Sequence, residues 1–231
     1  MSPRVSVVIP AYNCAGFIAK TLESVFAQTY KDYEIVVVDD GSTDNTGEAL
    51  KKYAGRIKYI RQENAGNSAA RNAAIRNSLG EYIAFLDHDD IWAPEKLEKQ
   101  VKMLEEYPKT GMVYSDGYVV DSSGKKLATF FKSAAPHRGS VAEDLFMGYF
   151  IPLLTVVVRK SLVESAGLFP EDLRICEEWE LFLRIAHSAE IDYIGEPLAY
   201  YVQHSGNQSR NFELGKREEI KVLERTLERF P

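Results

Sequence analysis

The stretch Tyr82-Ile83-Ala84-Phe85-Leu86 is apolar throughout and runs straight into Asp87-His88-Asp89-Asp90. Short β-branched and aromatic runs of this kind suit strands buried on both faces. Carboxylates at the end of such a strand lie at the carboxyl edge, where an open parallel sheet binds ligands. Three runs upstream read the same way: Val5-Ser6-Val7-Val8-Ile9, Glu34-Ile35-Val36-Val37-Val38 and Ile57-Lys58-Tyr59-Ile60. The second of them ends in Asp39-Asp40-Gly41-Ser42, so two acidic clusters follow two buried strands.

Helical periods separate these runs. Phe17, Ile18, Thr21, Leu22, Val25 and Phe26 recur at helical spacing, Ser42 to Tyr53 opens with capping residues, and Ser68 to Ser78 is rich in alanine. Alternating strand and helix predicts a parallel sheet built from βαβ units. After Asp90 the rhythm changes to a charged helix over Pro94 to Glu106 and strands at Gly111 to Tyr114, Lys125 to Phe131 and Thr155 to Val158. A helix through Glu178 to His187 and a terminal one over Glu213 to Phe230, with Leu214, Ile220, Leu223 and Leu227 as its apolar residues, complete the expectation. The fold class is therefore α/β, with a mostly parallel central sheet flanked by helices and mixed strands in the second half.

A chain of 231 residues fits one such domain with a short appendage. We expect the domain over 1–212, a nucleotide-binding half at about 1–115, a second half at about 116–212, and a C-terminal helix over 213–231. Lys and Arg total 28 against 34 Asp and Glu, a formal net charge of −6, and no basic block compensates locally. Nucleic acid is thereby disfavoured as a partner. The longest uncharged stretch, Leu145 to Val158, has 14 residues and contains Pro152. It falls short of the ~20 residues that span a bilayer. Its segment from Phe146 reads either as a buried strand with its approach loop or as an apolar wall of a pocket, with core favoured for Leu154 to Val158. No signal-peptide pattern follows Met1, so a cytoplasmic location is the expectation. Cys14 and Cys176 show no metal-ligand or disulfide spacing and read as free thiols.

Within Asp87-His88-Asp89 the two acids are one residue apart and can point to one side of an extended segment. Two converging carboxylates suit Mg2+ or Mn2+ that is also held by phosphate oxygens. The competing reading is turn chemistry or helix capping, and it applies equally to Asp39 and Asp40. A glycine-rich phosphate cradle is missing: the first strand leads into Pro10-Ala11-Tyr12-Asn13. Neither a dinucleotide dehydrogenase nor a P-loop NTPase fits.

The constellation resembles the family 2 glycosyltransferases, inverting sugar transferases of the GT-A fold. Five stretches carry the resemblance in family order: Val5 to Asn13, Asp39 to Asp44, Asn64 to Asn72, Gly80 to Asp90 and Cys176-Glu177-Glu178-Trp179-Glu180-Leu181. The resemblance implies a nucleotide diphosphate sugar as donor, a UDP-sugar foremost, and a glycan, lipid-linked or protein acceptor. A role in polysaccharide or cell-surface glycan synthesis and peripheral association with a membrane go with it. Tyr12 would stack on the base beside Pro10 and Ala11, Asp40 with Asp39 next to it would read base or ribose, and Asn67 and Arg71 would lie against the nucleotide. Asp87 would sit near the ribose or the metal, with His88 beside it, although a lone His88 also reads as structural, as do His137 and His187. Asp89 would ligate Mn2+ or Mg2+.

In Tyr200 to Ser209 the resemblance gives His204 to the diphosphate or the metal, whereas the residue alone reads as a surface-loop histidine. Relatives often carry arginine where Val202 stands. Glu178 takes the position of the general base, usually Asp in a Glu-Asp pair. The competing reading makes Glu177, Glu178 and Glu180 first-turn acids favouring a helix dipole. Trp179, Leu181, Phe182 and Ile185 read as the core face of that helix. Two other functions compete: a catalytically silent module that binds a nucleotide sugar or glycan, and a nucleotidyltransferase, which Pro10-Ala11-Tyr12-Asn13 disfavours.

Overall fold

The structure, a computed structural model, describes residues 2–131, 136–207 and 211–230. In chain order the elements are β1 (Val5–Ala11), α1 (Ile18–Phe26), β2 (Tyr33–Asp40), α2 (Thr46–Lys51), β3 (Lys58–Gln62), α3 (Asn67–Arg76), β4 (Tyr82–Phe85), β5 (Ile91–Trp92) and α4 (Lys96–Glu106). They continue with β6 (Thr110–Asp121), β7 (Lys126–Thr129), α5 (Ala142–Met147), β8 (Val157–Arg159), α6 (Lys160–Ala166), α7 (Glu177–Ala186), β9 (Glu190–Gln203) and α8 (Phe212–Arg229).

One sheet runs in the order β3-β2-β1-β4-β8-β6-β9-β5, with β7 paired to β6. Strands β1 to β4 are mutually parallel, β8 is antiparallel to both β4 and β6, and β6 runs parallel to β9. The chain moves outward from β1 through β2 to β3 and then returns to β4 on the other side of β1. That reversal opens a crevice at the carboxyl ends of β1 and β4. All seven residues of β1 and all four of β4 are buried; β4 is an unbroken apolar run, and the one polar residue of β1, Ser6, donates to Glu34. Phe85 meets Phe169 edge-on at 5.3 Å between ring centroids. Truncating a side chain so placed to alanine costs about 3–5 kcal/mol.

Several boundaries differ from the sequence reading. The helix expected over Ser42 to Tyr53 starts only at Thr46, because Asp44 Oδ1 accepts from the Thr46 amide and hydroxyl and holds a turn ahead of it. The strand expected at Thr155 to Val158 is displaced to Val157–Arg159 by a 3-10 turn over Leu153–Thr155, where the Pro152 carbonyl accepts from Thr155. The core reading of Leu154 to Val158 holds, for all five are buried. Strand β6 extends to Asp121 because β9 pairs along it. Gly195 and Glu196 drop out of the register between Ile194 and Pro197, which erases the alternation that marks a strand.

In α8 the buried face is Glu218, Val222 and Thr226, while Ile220 and Leu227 are more than half exposed. Of the apolar residues singled out in the sequence, Leu223 packs against the core and Leu214 is half-buried, whereas Ile220 and Leu227 face outward. In α7, Trp179, Leu181, Phe182 and Ile185 are all core. Cys14 and Cys176 are free.

Candidate active site

At the carboxyl edge the switch-point crevice widens into a cavity of about 500 Å³. Tyr12, just beyond β1, forms one wall and is 41% exposed. Asn13 after it adopts a left-handed conformation (φ 48°). Its Oδ1 accepts from the amides of Thr43 (2.8 Å) and Asp44 (3.2 Å), and its own amide donates to Ser42 Oγ. The turn that presents Tyr12 is therefore tied to the loop after β2. Pro10 and Ala11 end β1 with buried side chains and are not among the residues lining the cavity.

Asp39 and Asp40 serve different ends. Asp39 is fully enclosed; Oδ1 accepts from the Ser42 amide and Oδ2 from the Tyr59 hydroxyl and Arg61 Nη1. It shapes a turn and cannot touch a ligand, so its expected nucleotide role is corrected. Asp40 accepts from Gln62 and from the amides of Ala65 and Gly66, drawing the loop ahead of α3 against β2. Gly41 between that loop and β2 has φ 74°, and a Cβ there would stand 2.8 Å from the Asn64 nitrogen. Only glycine fits.

The loop after β4 brings Asp87, His88, Asp89 and Asp90 to the cavity. His88 Nδ1–H donates to the Pro10 carbonyl at 3.0 Å, which binds this loop to the end of β1 and makes the imidazole structural. The Thr21 hydroxyl lies 2.9 Å from the carbonyls of His88 and Asp90. Asp90 accepts from the Val202 amide at 2.9 Å; burial, and then Asp89 and Asp87, raise its pKa well above the carboxylate range.

Arg71, on α3, is buried and forms two 2.8 Å ion pairs, Nη2 with Asp87 and Nη1 with Glu177. Burial works against its charge, but Asp87, Glu177 and Glu178 outweigh it and raise its pKa. Arg71 thus lines the cavity and at the same time links the β4 loop to the first turn of α7. Asn67 lies in the cavity wall at the start of the same helix.

Glu178 follows Glu177 in that first turn and is partly exposed to the cavity. Burial, and then the neighbouring Glu177 carboxylate, push its pKa up to about 8 against the opposing pull of Arg71. A carboxyl of that kind is poised to exchange protons near neutral pH. Tyr149 stands beside this end of the cavity, its ring 6.1 Å from that of Trp179, and burial followed by Glu178 raises its pKa.

His204, in the turn after β9, closes the opposite side. Its Nδ1 accepts from the Gly206 amide at 3.1 Å, so Nε2 carries the proton and donates to Asp89 Oδ2 at 2.8 Å. The ring stacks on Phe17 at 4.7 Å. Gln208 and Ser209, the end of the stretch singled out in the sequence, lie outside the described residues.

Among the described residues no three His, Cys, Asp or Glu side chains are arrayed to hold a metal ion. Mn2+ and Mg2+ nevertheless bind through one or two carboxylates and fill the rest with phosphate oxygens and water, a place Asp89 suits, while the neighbouring imidazole is a nitrogen donor that favours a transition ion such as Mn2+ over Mg2+. Asp89 and His204 are the pair that fits.

The cavity also includes residues that the sequence reading passed over: Asn13, Phe17, Arg174, Tyr201 and Asn207. Phe17 was absorbed into the α1 periodicity, and Arg174 belongs to no motif. Asn207 Oδ1 accepts from the His204 amide, which fixes the turn.

Residues 6–142 match the profile of Glycosyl transferase family 2. The chain belongs to that family. An uncharacterized glycosyltransferase of Rickettsia typhi is 32% identical over 229 residues, 96% of this chain and 70% of that protein. The structure of S. aureus TarS 1-349 in complex with UDP-GlcNAc has a TM-score of 0.75 at 21% identity, over 97% of this chain and 71% of that one. The mannosyltransferase PcManGT from Pyrobaculum calidifontis, in complex with GDP-Man and Mn2+, gives 0.72 at 21% identity, over 100% and 66%. These likenesses show the GT-A fold. Other relatives are longer, and the chain spans about a third of their length.

Proposed function

We propose that this family 2 glycosyltransferase moves a sugar from a nucleotide diphosphate sugar, a UDP-sugar foremost, to an acceptor hydroxyl with inversion at C1. The observation that carries the reading is the opposition, within one cavity, of the Asp89–His204 pair and the Glu178 carboxyl with its raised pKa. A diphosphate leaving group belongs with the first and an attacking hydroxyl with the second.

Tyr12 provides a flat aromatic surface for the base, and Asp40 stands on the strand beside it. Asp40 is 3% exposed, lies behind the cavity lining and already accepts three hydrogen bonds, so of about four acceptor positions one would remain for a donor such as uracil N3–H. Asp87, held through one oxygen by Arg71, keeps the other for the ribose. Mn2+ or Mg2+ held by Asp89 and His204 would neutralise charge on the departing diphosphate. That two matched structures hold UDP-GlcNAc or GDP-Man with Mn2+ supports this donor class.

Glu178 takes the proton of the acceptor hydroxyl as its oxygen bonds to C1 from the face opposite the diphosphate, whose C1–O bond breaks in the same displacement. Tyr149 borders the path by which an acceptor reaches Glu178. The same reading takes a glycan, lipid-linked or protein acceptor, a role in polysaccharide or cell-surface glycan synthesis, a cytoplasmic location and peripheral membrane association as its expectations; no described helix is long and apolar enough to cross a membrane.

The test is a screen of UDP-sugars, with GDP-Man as comparison, for Mn2+-dependent hydrolysis and for a rise in melting temperature. The anomeric configuration of the product formed with the best donor is then read by NMR. Retention at C1, or binding of no nucleotide sugar, would overturn the proposal.

A further inference from the structure

Helix α7 begins with Glu177 and Glu178, yet its N-cap residue, Cys176, makes no side-chain capping hydrogen bond. Its thiol lies 3.7 Å from the Gly215 carbonyl in α8. The amides just ahead of the helix are satisfied from elsewhere. Glu218, in the second turn of α8, accepts from Arg174 N through both oxygens (3.0 and 2.9 Å), from Ile175 N at 2.8 Å and from Cys176 N at 3.3 Å. Three successive backbone N–H groups thus converge on one carboxylate that is 3% exposed. Such a concavity of amides is an anion nest, filled here by a side chain brought from 42 residues away.

The position is unusual for a charge. Glu218, Val222 and Thr226 stand at i, i+4 and i+8 on the buried face of α8, where packing alone would select apolar residues. A buried carboxylate persists only where hydrogen bonds replace its lost water, and the nest supplies them. The rest of α8 holds that helix in place: Val222 belongs to the core, Arg225 pairs with Asp172, and Phe230 stacks on His187 at 3.6 Å. The other end of this C-terminal segment is pinned by His204 on Asp89.

We propose that Glu218 is a positioning residue for the transfer reaction, holding Arg174–Cys176 so that the Glu178 carboxyl enters the cavity at a fixed place. The inference rests on Glu178 being the base. Glu178 is two residues beyond the last clamped amide; Glu177 through Arg71 and Trp179 through the Leu145 carbonyl hold the turn on its other sides, and Glu218 holds its N-terminal approach. Without the clamp the three amides seek water, and the start of α7 is freed to shift. A displacement of about 1 Å in a catalytic group is enough to cost up to ~10²-fold in rate. Tyr12 and the β4 loop stand on other elements, so nucleotide binding changes less than turnover, although Arg174 and Ile175 line the same cavity.

The experiment compares wild type with Glu218→Gln and with the milder Glu218→Asp, which keeps the charge one methylene further back. Hydrogen exchange of the Arg174, Ile175 and Cys176 amides is measured together with UDP affinity in Mn2+ and with kcat and KM for transfer. Glu218→Gln turns a donor toward three donors. We expect at least tenfold faster exchange at those amides and a fall in kcat of roughly tenfold or more, with UDP affinity within twofold and Glu218→Asp intermediate. If Glu218→Gln does not fold, Glu218→Asp alone carries the comparison, with the same directions.

Unchanged exchange would overturn the clamp. Faster exchange with unchanged kcat, or a parallel loss of kcat and UDP affinity, would overturn positioning and leave a purely structural glutamate. Failure of the base itself is told apart by Glu178→Gln: if that variant keeps wild-type turnover the reading of Glu178 falls, whatever the amides of Glu218→Gln report.

Discussion

His204 Nε2 lies 2.8 Å from Asp89 Oδ2 across 115 residues of sequence, and this contact joins the last strand of the sheet to the loop after β4. The pair is 18% and 14% exposed, open enough for a ligand and enclosed enough for its charge to matter. Because the Gly206 amide occupies Nδ1, the nitrogen facing Asp89 is the one that would exchange its proton for a metal.

Nucleotide binding is therefore expected to need a divalent ion. The cavity is lined by the carboxylates of Asp87, Asp89 and Glu177, which repel a diphosphate, while Arg71 is spent on two of them and Arg174 is the other guanidinium in the lining. Calorimetric titration of UDP should show tight binding with Mn2+ and weak or no binding in chelator. Asp89→Asn should lose the metal effect, and equal affinity in both buffers would remove the metal from the site.

Tyr12→Ala should weaken UDP binding and leave the melting temperature unchanged. The ring is 41% exposed and makes no packing contact that the core depends on, whereas a stacked base is worth about 1–3 kcal/mol. A dissociation constant equal to wild type would make Tyr12 an ordinary loop aromatic.

Arg71→Met should instead destabilise the fold. The Arg71 and Glu177 side chains are each 4% exposed, and removing the guanidinium leaves Glu177 buried without its counter-charge. Breaking a buried pair in this way costs about 3–5 kcal/mol. The check is the urea midpoint: a shift of that size is expected for Arg71→Met, and a smaller one once Glu177→Gln is added. A midpoint equal to wild type would mean that water reaches the pair freely.

In the parallel half of the sheet β1, β2 and β4 were legible because they are buried and appear as largely apolar runs ending at the cavity edge, whereas β3, expected to be buried on both faces, is an edge strand and mostly exposed. Strand β9 was not, since a bulge at Gly195 and Glu196 and a half-exposed face remove its periodicity. Tyr12, Asp87, Asp89 and Glu178 could be singled out from motif and strand end. Asp39 and Arg71 show where such reading stops: residue type and position mark them as ligand contacts, and only the packed structure reveals their partners inside the protein. Glu218 carries no sequence signal at all, being one of many charges in α8 until the fold turns it inward.

Glu178→Gln tests the chemistry itself. The variant keeps the shape of the side chain and cannot accept a proton, so transfer should fall by ~10²-fold or more with UDP affinity unchanged. For wild type the base must be deprotonated, and its pKa stands raised to about 8. Transfer rate should accordingly climb as pH increases from 6 toward 9, and the residual activity of Glu178→Gln should lack that limb. Stability gives an independent reading with the opposite sign. A carboxyl whose pKa is higher in the folded chain than in the unfolded one binds its proton more tightly when folded, so its contribution to stability declines as pH rises from the unfolded value, 4.5, to about 8. Glu178→Gln has no such proton to lose. Its melting temperature relative to wild type should therefore rise across that interval and level off above it; a pH-independent difference would show that Glu178 titrates like an exposed glutamate and is not the base.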